Sequence, residues 1–199
     1  MPHTAAIIRC STTALIAMVA AMVQTIALAA PVPYVVDAKH TYASFEINHL
    51  GLSTARGTFD RTSGTITLDT AMGEGYIEIV IETASVDTGL AKRDQHLRAA
   101  EFFNVEKYPT MTFVSTTLRF DENRLTGADG NLTMLGKTRP VSLDVTRFNC
   151  VQHPIHKKSA CGADAVTSIR RSDWGMTTYV PMIGDEVTIR IGIEALKLP

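Results

Sequence analysis

The chain has 199 residues, of which 45% are hydrophobic and 20% charged, and its 19 basic against 20 acidic side chains leave a formal net charge of −1. No basic run exceeds two residues, as in Lys157-Lys158 and Arg170-Arg171. A chain so balanced argues against nucleic acid as a partner.

Met1 to Ala29 carries one formal charge, Arg9, followed by an apolar run in which Gln24 and a few hydroxyls are the only polar side chains. Ala27-Leu28-Ala29 supplies a small-x-small cleavage pattern, so residues 1–29 are expected to be an export signal that is removed. The competing reading is a retained anchor, since a run of this length is long enough to span a bilayer. Ile7-Ile8-Arg9 before Cys10 does not fit a lipoprotein signal. The remainder, residues 30–199, suits one domain with a full core and is too short for two ordinary ones.

From there the sequence alternates with period two. Phe45, Ile47 and His49 share one face of a first strand, Ile66 and Leu68 lie among threonines, and Ile77, Ile79 and Ile81 face away from Glu78 and Glu82. One side of each strand is dry and the other mostly wet. The stretch from Leu90 to Phe113 breaks the series. Good helix formers fill Ala91 to Ala100, Leu90, Leu97, Ala100 and Phe103 are spaced to share a face, and Pro109 returns the chain to an extended form. A short amphipathic helix is expected there, its apolar face turned to a barrel that it lids.

Strands resume over Thr110 to Asp121, Arg124 to Met134 and Pro140 to Asn149, with Asp121-Glu122-Asn123 as a hairpin turn and Val141, Leu143 and Val145 on one face. Cys150 and Cys161 follow, the only cysteines beyond the export signal, and in an exported protein the pair reads as a disulfide. Closing so short a loop contributes roughly 3 kcal/mol in the chain-entropy model. A Cys-His-His-Cys metal set with His153 and His156 is the alternative, although its spacing matches no standard zinc pattern. Arg171-Ser172-Asp173-Trp174-Gly175-Met176 reads as a chain reversal with Trp174 as a buried aromatic plug, and Val187, Ile189, Ile191 and Ile193 form one face of a last strand. About eight strands joined by Gly-, Asp- and Asn-containing turns imply a mainly β, antiparallel sheet that must close or stack. A closed barrel can hold one small ligand and a sandwich cannot, and periodicity does not separate them.

Motifs for chemistry are missing. There is no G-x-S-x-G, G-x-G-x-x-G or G-x-x-x-x-G-K, and His40, His49 and His96 lack any metal-ligand spacing. We therefore assign no catalytic residue, metal or cofactor. Arg93, Asp94 and His96 form the nearest thing to a cluster. They read first as a solvated helix face, with Asp94 near the helix N-terminus and spaced to pair with Arg98. His96 alone is a candidate to turn inward and bond a ligand head group.

In order and spacing, the motifs resemble the YceI-like family from about Tyr34 to Leu198. They run through Asp37, His40, Phe45-x-Ile47-x-His49-Leu50-Gly51, Arg56-Gly57-x-Phe59 and Gly64-x-Ile66. Then come Arg93-Asp94-x-His96-Leu97, Phe102-Phe103, Tyr108-Pro109-x-Met111-x-Phe113, Gly136-Lys137-Thr138-x-Pro140-Val141, the Arg171 to Met176 run and Gly184-Asp185-Glu186-Val187. Two features depart from the pattern: Trp174 stands where that family usually has phenylalanine, and the segment between Cys150 and Cys161 occurs in only some members.

The resemblance implies a lipocalin-like antiparallel β-barrel that binds, without catalysis, an isoprenoid lipid of quinone or polyprenyl type, or a similar long-chain amphiphile. Burying ten apolar carbons at roughly 0.8 kcal/mol each gives a gross ~8 kcal/mol, enough for micromolar affinity before the losses of ordering and association. Taking the apolar strand faces as inward gives Phe45, Ile47, Phe113, Val141, Leu143, Ile189 and Ile191 as wall candidates, with His96 at the head group. The resemblance also implies homodimerisation and, as an alternative function, docking on a membrane redox partner such as a b-type cytochrome.

Overall fold

The computed structural model describes residues 30–199; the expected export signal, residues 1–29, lies outside them. Eleven strands form one antiparallel sheet: β1 (Val32–Val36), β2 (Tyr42–His49), β3 (Ser53–Phe59), β4 (Thr62–Asp69), β5 (Glu74–Glu82), β6 (Val86–Asp87), β7 (Thr110–Asp121), β8 (Arg124–Met134), β9 (Lys137–Gln152), β10 (Ser159–Arg170) and β11 (Ile183–Lys197). The single helix among the described residues is α1 (Ala91–Arg98).

The sheet closes because two pairs of short strands act as two long ones. β11 pairs with β2 along its first part, Ile189 opposite Phe45, and with β1 along its last, Tyr34 opposite Lys197. β3 and β4 likewise run on from one another, facing β2 and β1. With β5, β7, β8, β9, β10 and β11 these make eight staves, so the expected barrel of about eight strands is what the chain forms. The described residues close one barrel around one core.

One stave is short of a neighbour. β5 covers β4 from Thr62 to Asp69, and β6 covers only Thr58 and Phe59 of β3, so no strand pairs with Ser53 to Gly57 on that side. After Glu82 the chain makes a 3-10 turn, passes through β6 into α1, and returns to β7 through residues 99–109. Buried Thr83 ties the return in place, its N–H donating to the Pro109 carbonyl at 2.9 Å and its hydroxyl to that of Tyr108 at 2.7 Å. Arg98 does not pair with Asp94; it donates to the carbonyls of Ala84 and Val86, both at 2.8 Å.

α1 is shorter than expected, and its apolar contribution is smaller. It stops at Arg98 rather than Ala100, Leu90 and Ala100 are exposed, and within the helix Leu97 alone reaches the interior as an aliphatic side chain. The inward packing comes from the turn that follows, where Phe102 and Phe103 are buried and Phe103 meets Phe59 edge to face at 5.3 Å. Aromatic side chains just past a helix end supply what a longer amphipathic face would have.

Cys150 and Cys161 are bonded, with Cα atoms 4.1 Å apart, and they face each other in register across β9 and β10. Trp174 is buried, its indole N–H donating to the Leu132 carbonyl at 3.2 Å. It sits in a 3-10 turn (Arg171–Trp174) that Gly175 ends in the left-handed region, φ 92°, as a reversal plugged by an aromatic ring requires.

Candidate functional site

The inward faces of the staves enclose a cavity of about 390 Å³, within the range typical of small-molecule sites. Period two sets its wall: Phe45, Ile47 and His49 from β2, Ile77, Ile79 and Ile81 from β5, Val141, Leu143 and Val145 from β9, and Val187, Ile189, Ile191 and Ile193 from β11. Many of these large apolar side chains are only half-buried although they point inward. The surface they retain faces the lumen, which would be filled in an ordinary barrel core.

Two aromatics show how the lumen is kept clear. The Phe45 ring lies over Gly57 of the neighbouring strand, where a Cβ would come within 2.5 Å of the ring, and Phe113 lies over Gly130, with the corresponding distance 2.6 Å. Each ring occupies the place of a missing side chain instead of projecting across the barrel.

The two ends differ. Towards the β7–β8 turn the lining residues Tyr34, Leu68, Leu125, Cys161 and Ala195 are all buried, which closes that end. At the α1 end the lining includes His49, Arg56, Arg93, His96 and Tyr179, all exposed. These five mark an opening beside the unpaired part of β3, polar at its edge and apolar behind.

The groups at the opening are held by short local contacts. Arg93 donates through Nε to the Thr88 hydroxyl and through Nη2 to the Thr88 carbonyl, both at 2.7 Å. Buried Asp94 accepts from the Thr88 N–H at 2.8 Å and from its hydroxyl at 2.5 Å, so this carboxylate organises the turn into α1. His96 Nε2 lies 3.1 Å from Glu101 Oε1, and the ring packs edge-on against Phe102 and Tyr179. His40 is elsewhere, paired with Asp37 at 2.9 Å. Of the three histidines, then, His49 and His96 share the opening and His40 does not, and among the described residues no cluster of three or more His, Cys, Asp or Glu is placed to hold a metal.

Arg171 builds the opposite lip. Buried, it donates to four carbonyls: Gly184 (2.8 Å), Met176 (3.1 Å), Thr178 (2.9 Å) and Ile183 (3.0 Å). This one guanidinium thus pins residues 176–184. Asp185 completes the anchor by accepting from the Ser172 N–H at 2.9 Å and hydroxyl at 2.7 Å. Burial alone would raise the Asp185 pKa, but the two Ser172 bonds and the charges of Arg171 and Arg170 outweigh it and hold the carboxyl below its ordinary value. A depressed carboxylate pKa stabilises the fold above the unfolded value, and that contribution is lost as pH falls through the folded one. Below about pH 4, amide exchange in residues 172–184, corrected for its intrinsic pH dependence, is expected to quicken. Asp185→Asn should remove that acid step; a wild-type rate that stays flat to about pH 3 would contradict the assignment.

Phe45, Ile47, His96, Phe113, Val141, Leu143, Ile189 and Ile191, the residues proposed from sequence, all lie on the wall or at the opening. Sequence reasoning missed Tyr179, Ile183, Phe59, Met111 and the structural part of Arg171. The alternation that exposed the strand faces does not extend to residues 171–182, which form turns.

A family model described as the YceI-like domain matches residues 34–195. The chain belongs to the YceI-like domain family. Protein YceI of Salmonella arizonae is 37% identical over 162 residues, spanning 81% of this chain and 84% of that protein. The YCEI protein of Campylobacter jejuni has a similar structure, with TM-score 0.67 and 27% identity over 76% of this chain and 90% of its own. A polyisoprenoid-binding domain from Saccharophagus degradans shares the fold at TM-score 0.63 and 18% identity, covering 84% of this chain and 99% of that one. The YceI-like match spans both the barrel staves and the α1 insertion, so the cavity and its opening both lie inside the family's domain.

Proposed function

We propose that this YceI-like protein binds, without catalysis, an isoprenoid lipid of quinone or polyprenyl type, or a similar long-chain amphiphile, in the barrel cavity, and that it does so in the periplasm after removal of residues 1–29. The observation that carries this reading is the unfilled apolar lumen, closed at one end and edged with polar groups at the other. An apolar tail in such a lumen gains burial along its length, while Arg93 and His96 are placed to donate hydrogen bonds to a head group that accepts them. The polyisoprenoid-binding neighbour supports the choice of lipid.

The test is native mass spectrometry of the protein recovered from a Gram-negative periplasm, followed by denaturing extraction and lipid analysis. The expected result is a mass beginning near Ala30 with a stoichiometric prenyl lipid. A clean apo mass at high recovery, together with no uptake of added quinones or polyprenols, would overturn the reading.

A further inference from the structure

Above the opening stands a group of large apolar side chains that, Tyr179 apart, do not line the cavity. Leu52 is 82% exposed, Met182 59%, Leu50 51% and Tyr179 49%, and across the opening Leu90, just before α1, is 53% exposed. Leu50 and Met182 belong to different loops, yet the Leu50 N–H donates to the Met182 carbonyl at 2.9 Å, so the two loops form one lip. Other exposed apolar residues lie apart at the closed end, such as Ile155 beside Lys157 and Lys158.

The backbone holds this lip outward. Leu50 (φ 58°) and Tyr179 (φ 63°) both occupy the left-handed region, which is unfavourable for bulky residues and in which asparagine or glycine would sit more easily. Arg171 and its four carbonyl bonds fix the Tyr179 loop from beneath. Side chains kept exposed in a disfavoured conformation by a buried anchor fit a surface that has a use.

Charge indicates the occupant. Residues 47–58, 88–93 and 174–184, which make up the lip and the near edge of the opening, contain no aspartate or glutamate, while Arg56, Lys92 and Arg93 lie among them. Among the described residues neither Lys92 nor Arg93 forms an ion pair: Arg93 donates to Thr88, whose hydroxyl in turn donates to Asp94, while Arg56 is paired with Glu46 and His96 lies against Glu101. Exposed leucine, methionine and tyrosine beside Lys92 and Arg93 suit the interface of an anionic bilayer, where apolar tips enter the acyl boundary and basic groups meet phosphates.

We infer that the lip formed by the Leu50–Leu52 turn and the Tyr179–Met182 loop docks the opening of the barrel onto an anionic phospholipid bilayer, so that a lipid passes between membrane and lumen without crossing water. The inference takes its purpose from the lipid-binding reading, and the two fail separately.

The experiment is co-sedimentation of residues 30–199 with vesicles of phosphatidylethanolamine and phosphatidylglycerol, and with vesicles of phosphatidylcholine alone. Wild type is expected to partition at least tenfold more strongly to the anionic vesicles. The double variant Leu52→Glu/Met182→Glu, neither position lining the cavity, should lose at least tenfold of that binding with an unchanged far-ultraviolet circular dichroism spectrum. Uptake of a short-chain ubiquinone in solution should be the same for both proteins. Wild type that ignores anionic vesicles, or a variant that binds them as well as wild type, overturns the docking. So does a dimer in sedimentation velocity that the same variant dissolves while neither protein binds vesicles, which would assign the lip to a second copy of the chain. Docking that persists in a protein binding no quinone or polyprenol would sink the lipid-carrier reading alone.

Discussion

Ala165→Trp is expected to weaken binding of a prenyl lipid by about 100- to 1000-fold and to leave the barrel folded. Ala165 lies on the cavity wall in β10, opposite Val145 on one side and Ile191 on the other. An indole there projects into the lumen at mid-height, and a tail entering from the α1 end loses the space beyond it. Forfeiting the burial of about five carbons at roughly 0.8 kcal/mol each removes ~4 kcal/mol gross, close to a thousandfold, and less ordering of the shortened guest returns part of it. Stability should be unchanged or slightly raised, because the ring fills empty space instead of displacing packed atoms. Lipid titration and thermal melting of the variant check both points. An affinity within threefold of wild type would place the lipid outside the lumen.

Arg171→Ala is expected to produce the largest loss of stability, about 3–5 kcal/mol, seen as a fall of roughly 10 °C in Tm for a domain of this size. The four carbonyls of Met176, Thr178, Ile183 and Gly184 share this one donor group, and alanine leaves those that stay buried without a partner. Arg171→Lys keeps the charge but not the planar array of donors, so it should fall between the two. The comparison by differential scanning calorimetry also separates charge from geometry: a lysine variant as stable as wild type would mean that a single ammonium suffices, contrary to the four-bond reading. Amide exchange in residues 176–184 should rise in the alanine variant more than elsewhere in the barrel.

Period two made the staves legible in the sequence. Thr110 to Asp121 and Arg124 to Met134 are strands over the expected bounds, and every apolar strand face read from the alternation points inward. That the lumen stays empty was not legible, because the same alternation describes a filled barrel and a hollow one. Emptiness depends on pairs such as Phe45 with Gly57 and Phe113 with Gly130, which come together only when β3 lies beside β2 and β8 beside β7. The opening was legible in fragments. His96 reads as a head-group contact, whereas His49 reads as one position of an alternating strand face with no role towards a ligand. Tyr179 gave no signal, being one aromatic residue in a turn whose position is set by an arginine eight residues earlier. The helix misled in a specific way: Leu90 and Ala100 complete an apolar stripe on paper, but α1 ends at Arg98 and the chain turns Phe102 and Phe103 inward instead.

Because the end lined by Tyr34, Leu125 and Ala195 is shut among the described residues, the barrel is a cup and not a pipe. An elongated guest that fits it enters tail first and leaves head first by the same route, so release retraces uptake and neither step can be driven by the other. Direction must come from where the cup is emptied. On the lipid-binding reading proposed above, chain length beyond the depth of the cup would remain outside, so affinity should level off with guest length instead of falling for longer guests.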